Sequence, residues 1–197
     1  MGRDDSKEAV LARTENVWPK VRNALIEGIK TAIDLHERAG WEYQDDKHLY
    51  QHMIRRKAVQ VFKSLKLEAE EDSDASDTSV LAMSGLILYL PDDEPDDVVR
   101  IWHIATSHIP KPGTPTRRAF VKQQHSEQDT LMDQLFDPVR TKIAHWRHRD
   151  EPNHLIVHWT VNEHAIERLD LVRPTGIGRT SVAVDWRVNL LEWMAEQ

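Results

Sequence analysis

The chain has 197 residues, 40% of them hydrophobic and seven of them tryptophan, which is enough to fill the core of one domain. It contains no cysteine, so disulfides, cysteine-based zinc sites, iron–sulfur clusters and thiol catalysis are excluded. The net charge of −7 hides an uneven distribution, because Glu68 to Asp97 carries only acidic charge and the remainder is mildly basic.

Helical signals dominate the first third. A short helix is expected over Lys7 to Val17. Pro19 suits the first turn of a longer one, where its missing N–H would have had no partner. Val21, Leu25, Ile29, Ala32, Ile33 and His36 then recur at helical spacing, and Gly40 is a natural stop. A second long helix, 46–66, can be capped by Asp45 or Asp46. Its apolar face is Tyr50, Met53, Ile54, Ala58, Val61, Phe62 and Leu65. Its opposite face carries Arg55, Arg56, Lys57, Lys63 and Lys66.

Residues 68–79, EAEEDSDASDTS, are too acidic and too poor in apolar groups to fold alone and read as a loop. Gly85 to Leu90 and Val98 to Ala105 read as a hairpin joined by PDDEPDD. Prolines 110, 112 and 115 with Gly113 enforce an irregular stretch. Weaker helical patterns cover Arg118 to Ser126 and Asp129 to Leu135, and Pro138 opens a further helix.

The last third is β in pattern. In 154–161, Leu155, Val157, Trp159 and Val161 point one way and His154, Ile156, His158 and Thr160 the other. Strands over 166–173 and 181–190 complete a meander, with PTGIGRT as a glycine-bearing turn. Val182, Val184, Trp186, Val188 and Leu190 line one face of the last strand. The expected fold is therefore α+β, with N-terminal helices packed on a five-stranded, mainly antiparallel sheet. Within one compact domain, 1–67 forms the helical layer, 68–79 the acidic loop and 80–197 the sheet with a helical insertion. Only the connection over 106–153 is long enough for a crossover between parallel strands.

No run reaches the ~20 apolar residues of a membrane helix, and the polar, acidic start lacks the form of a signal peptide. A cytoplasmic protein without membrane association is expected.

Histidine is abundant, eleven in all. His145 and His148 share a face of the expected helix and could chelate one ion. His154 and His158 lie on one face of a strand but roughly 13 Å apart. His103 and His108 straddle a strand end. A mononuclear site needs a third ligand, for which Asp150 or Asp185 is available. The alternative is surface histidines beside tryptophans, since no HExxH-type spacing is present. Arg140 and His145, separated by four residues, resemble the Rx4–6H motif of HEPN ribonucleases. In that family the arginine stabilises phosphate charge and the histidine takes part in RNA cleavage. The strands on both sides depart from that family's all-helical bundle.

Arg55, Arg56, Lys111, Arg117 and Arg118 could track phosphates, or simply keep the helix faces soluble. Gly176-Ile177-Gly178 lacks the lysine of a P-loop and opens no helix.

Several phrases carry a wider resemblance: Trp18-Pro19-Lys20-Val21, Asp45-Asp46-Lys47-His48-Leu49-Tyr50-Gln51-His52, Ile101-Trp102, Pro110-Lys111-Pro112-Gly113-Thr114 and Leu155-Ile156-Val157-His158-Trp159. In these the chain resembles uncharacterised actinobacterial proteins with no assigned activity, a family associated with phage-like or mobile-element regulators. The resemblance implies a regulatory or partner-binding role and carries no catalytic residues.

The function expected is thus a non-enzymatic regulatory or interaction protein that binds another macromolecule. A protein partner is favoured over nucleic acid, and no cofactor or metal is expected. Glu70, Glu71, Asp72 and Asp74 on the acidic strip, with Arg55 and Arg56, are its candidate contact residues. The alternative is a nuclease or metal-dependent hydrolase built on 140–158, with Arg140, His145, His148 and His158 as its working groups. Oligomeric state is left open.

Overall fold

A computed structural model describes residues 4–43, 45–70, 79–82, 85–90, 97–123, 153–162 and 164–197. Three helices come first: α1 (Lys7–Thr14), α2 (Trp18–Ala39) and α3 (Lys47–Glu70). Local chemistry marks the start of each helix and the end of α2. The Ser6 hydroxyl accepts from the Ala9 N–H at the start of α1, and Pro19 occupies the first turn of α2. Gly40 stops α2 in the left-handed conformation at φ 69°, with Trp41 N–H donating to the His36 carbonyl at 2.9 Å. The Asp46 carboxylate opens α3 by accepting from Leu49 N–H at 2.8 Å.

The apolar stripes of α2 and α3 face each other and the sheet. Trp18, Val21, Leu25, Ile29 and Ala32 are buried from α2, and Tyr50, Ile54, Ala58 and Phe62 from α3. The valine, leucine, isoleucine and phenylalanine side chains among these each contribute about 1.5–3 kcal/mol by leaving water. Both long helices thus follow their 3.6-residue periodicity.

The sheet contains β1 (Ser79–Ala82), β2 (Gly85–Leu90), β3 (Asp97–His103), β4 (Asn153–Val161), β5 (Ile166–Ile177) and β6 (Val182–Asn189), in that spatial order. A short helix α4 (Pro115–Val121) precedes β4, and α5 (Leu190–Ala195) follows β6. All neighbours are antiparallel except β3 and β4, which run parallel from Asp97↔Asn153 to His103↔Trp159. The fold is α+β with a mixed sheet. The apolar Val80-Leu81-Ala82 pairs with β2 as an additional strand, which corrects the five-stranded expectation. The parallel pair falls at the one connection expected to be long enough for a crossover, and the sheet is otherwise antiparallel as expected.

Smaller corrections follow from the same geometry. Glu68, Ala69 and Glu70 continue α3 and Ser79 belongs to β1, which corrects both ends of the acidic loop expected over 68–79. Its members Glu71, Asp72 and Asp74 lie outside the described residues, as do the expected helices over 129–135 and from Pro138. The helix anticipated from Arg118 instead starts at Pro115, where the Thr114 hydroxyl accepts from Arg117 N–H. Strand β5 runs on to Ile177, and the turn tightens to Gly178, whose N–H donates to Ser181 at 2.8 Å. Leu190 opens α5, capped by the Asn189 side chain.

Strand β4 is buried at all nine positions, so both faces of the sheet are covered there. Leu155, Val157, Trp159 and Val161 join the core beneath the helices. Ile156 joins a second cluster with Trp102, Ile109, Phe120, Val121 and Val172 on the opposite face. The last strand does not keep one face. Register shifts at Arg173/Pro174 and Pro174/Gly176 leave Trp186 and Val188 against the helical core but Val182 and Val184 in the second cluster. Among the described residues no helix is long and apolar enough to cross a membrane.

Candidate anion-binding site

The parallel strands β3 and β4 end side by side, and the chain leaving β3 folds back across the face opposite the helices. Two arginines hold that return. Arg168 of β5 donates to the Thr106 carbonyl at 3.0 Å, and Arg187 of β6 to that of Ser107 at 2.9 Å. Both guanidinium groups also flank Asp170, at 3.8 and 3.6 Å. Trp102, His158, Asp170 and Asn189 stand level in one row across four strands. Burial pushes the Asp170 carboxyl up, while Arg187, His158 and Arg168 oppose that rise.

Further along, the loop turns into α4 and encloses a cavity of about 200 Å³ beside Trp102, His103, Ile109, Lys111 and Arg117. Ile109 and Phe120 anchor loop and helix in the second cluster. The Arg117 guanidinium lies over the Trp102 indole at 5.4 Å, a cation–π contact that fixes its direction. Arg118 points elsewhere: it donates to the carbonyls of Pro112 and Gly113 at 3.1 and 3.2 Å and so shapes the loop. Lys111 is exposed at the rim.

Arg55 enters from α3. Its charge reaches both His103 and Arg117, lowering the pKa of each after the larger effect of burial. His103 stands edge-on to Trp159 with centroids 4.9 Å apart and is pushed down to about 4, by burial first, then Arg55, then His158. It is therefore neutral at pH 7. Arg56, the next residue on α3, is exposed.

The buried histidines are used structurally. His36 Nδ1 meets the Ala32 carbonyl at 3.0 Å, His154 Nδ1 that of Phe120 at 2.9 Å, and His158 Nε2 that of Ile104 at 3.0 Å. A carbonyl only accepts, so each of these nitrogens carries a proton. His154 is also stacked on Phe120 at 4.1 Å. The His158 pKa is lowered, by burial above all, although its bond to Ile104 works the other way.

Of the residues singled out by sequence, Lys111 and Arg117 line the cavity, the charge of Arg55 acts on Arg117, and His158 lies one strand away with its ring fully buried. Arg140, His145, His148 and Asp150 lie outside the described residues. Asp185 is ion-paired with Arg173 at 2.9 Å, four positions along β6 from the residue level with His158. Among the described residues no three His, Asp or Glu side chains gather to hold a metal. The sequence reading overlooked Arg168, Asp170 and Arg187. The i, i+2 spacing of Arg168 and Asp170 on one strand face was the available signal.

At the opposite end of the seam a polar clasp joins the N-terminal segment to the sheet. Arg13 grips Asp97 with Nε and Nη2 at 2.7 and 3.0 Å. Asn153 donates to the same carboxylate at 2.6 Å and accepts from Arg173 at 3.1 Å. Arg173 also reaches Asp5 at 3.4 Å, and Trp186 Nε1 donates to the Asp5 carbonyl at 3.2 Å. A separate groove of about 530 Å³, walled by Ile26, Ile29, Ile33, Ile166, Leu191 and Met194, runs between α2 and α5.

No family model matches the chain. No curated protein and no solved structure matches it either.

Proposed function

We propose that this protein is a non-enzymatic regulatory or interaction protein, and that an acidic group of a partner protein docks at the cavity beside Trp102. One observation carries this reading. Lys111 of the loop and Arg117 of α4 line that cavity, whose histidine has a pKa near 4, and the charge of Arg55 on α3 acts on both Arg117 and that histidine. A group exchanging protons at neutral pH works best with a pKa near 7. A neutral His103 among fixed positive charges favours binding over acid–base chemistry. Positive charge gathered in a concave, partly dry setting speeds encounter with an anionic partner and selects against cationic ones.

The test starts with capture of a partner by the full-length protein, its identification and its purification. Binding of the purified pair is then measured at two salt concentrations for the wild type and for Arg55→Gln with Lys111→Gln. Affinity falling about tenfold or more in the double variant, with a shallower salt dependence, supports the reading. Unchanged affinity overturns it. The same preparation is incubated with single-stranded RNA and DNA, with and without divalent cations. Cleavage that disappears in His145→Ala or His148→Ala, with the fold intact, would replace this reading by the nuclease or hydrolase alternative.

A further inference from the structure

We infer that the cavity between β3, the loop after it and α4 accepts a phosphomonoester dianion, presented by a phosphorylated serine or threonine of the partner. This rests on the interaction reading above and adds the chemistry of the group recognised.

The charges support a dianion. A carboxylate is planar and singly charged, and one guanidinium fork satisfies it. Here Lys111 and Arg117 line the cavity from two chain segments, and the charge of Arg55 acts on Arg117 from a third. That arrangement matches a tetrahedral group with three acceptor oxygens and a charge near −2. Among the described residues no Asp or Glu lines the cavity, and neither Arg55 nor Lys111 makes an ion pair.

Size and rigidity point the same way. About 200 Å³ holds one phosphoryl group with its ester carbon, not a run of nucleotides. The indole of Trp102 sets the direction of Arg117, and Arg118 braces the loop through two carbonyls. Little ordering is then needed on binding, which is what makes a small charged site effective.

The experiment uses the full chain and defined probes. Inorganic phosphate, sulfate and acetate are titrated while the Trp102 indole and His103 ring resonances are followed. A short alanine-rich peptide with one phosphoserine, its unphosphorylated form and a 5′-phosphorylated RNA ten-mer are titrated next. Phosphate and sulfate should shift both resonances, and acetate should not. The phosphopeptide should bind more tightly than free phosphate, and the unphosphorylated peptide should not bind. Arg55→Gln and Lys111→Gln should each weaken phosphate about fivefold, while Arg56→Gln should leave it unchanged. Because Lys111 is exposed, its variant keeps the test meaningful even if Arg55→Gln folds poorly.

Acetate binding as well as phosphate would overturn the assignment, as would phosphate binding indifferent to Lys111→Gln. So would RNA binding more tightly than the phosphopeptide and failing in the same variants. If phosphate does not bind but the double variant still loses the partner, the phosphoryl assignment falls and the interaction reading stands.

Discussion

Gly28 of α2 lies directly against Ile54 of α3: a β-carbon on Gly28 would sit 2.6 Å from the Ile54 carbonyl oxygen and 2.9 Å from its Cγ2. The two helices cross where one of them has no side chain. In an isolated helix Gly→Ala gains roughly 0.8–1.0 kcal/mol. At this crossing the methyl meets backbone, which cannot rotate away, and the helices must separate. Gly28→Ala should therefore lose about 1–3 kcal/mol in urea denaturation, the usual cost of overpacking. Stabilisation by this variant would mean that α2 and α3 are not held at this distance.

The clasp predicts a second loss. Asp97 is 5% exposed and Arg13 20%, so Arg13→Ala strands a buried carboxylate that keeps its bond from Asn153. The expected cost is roughly 2–3 kcal/mol, somewhat below that of breaking a fully buried pair. Denaturant titration of Arg13→Ala beside Arg13→Lys checks it. Lysine should recover only part of the loss, since it cannot reproduce the two-pronged contact.

Histidine 103 makes stability depend on pH. Its folded pKa of about 4 lies below the ordinary value of 6.5. Between those values the unfolded chain binds more protons, so stability rises with pH. The contribution is complete above about pH 6.5 and is lost as pH falls toward 4. His158, also lowered by burial, acts in the same direction. His103→Gln should flatten the fall in melting temperature between pH 7 and pH 5. A variant whose pH profile overlays the wild type would show that His103 protonates freely in the folded state.

Arg187 should matter most where Asp170 is ionised. The guanidinium lies 3.6 Å from that carboxylate and offsets the burial that raises its pKa. Arg187→Met should cost about 1 kcal/mol at pH 7, as expected for a partly exposed pair, and less at pH 4, because burial raises the Asp170 pKa and so favours its neutral form as pH falls. Urea titrations at the two pH values provide the comparison. An equal loss at both would assign the effect to the Ser107 contact alone.

Much of this architecture was readable from residue patterns, and what was not has physical causes. The two long helices carry apolar groups every three to four positions over more than five turns, and Pro19, Gly40 and Asp46 mark their limits. The meander of β4, β5 and β6 shows in its alternation. Pairing of Val80 to Ala82 with β2 does not, because a short apolar run carries no period. The parallel register of β3 and β4 is also silent, since it joins residues such as Asp97 and Asn153 that are 56 positions apart. The bulges of the last hairpin reverse Val184 relative to Trp186, and no strict alternation could show that. Arg55, Lys111 and Arg117 were visible as cations, but the meeting of Lys111 and Arg117 at one cavity depends on how the loop after β3 folds back with α4. Arg118 looked equivalent to Arg117 until its carbonyl partners were seen.

The single parallel pairing also divides the sheet by the distance over which its contacts form. Strands β1, β2 and β3 are neighbours in sequence as well as in space, and so are β4, β5 and β6. Each triplet can assemble from short-range contacts, with little loop to close. The seam between them cannot, because β4 must return to β3 from beyond α4. On refolding, amides within the β4–β5–β6 triplet should gain protection from hydrogen exchange before those donated across the β3–β4 seam. The basic cavity sits at the end of that seam, so it should be among the last features of the molecule to take shape.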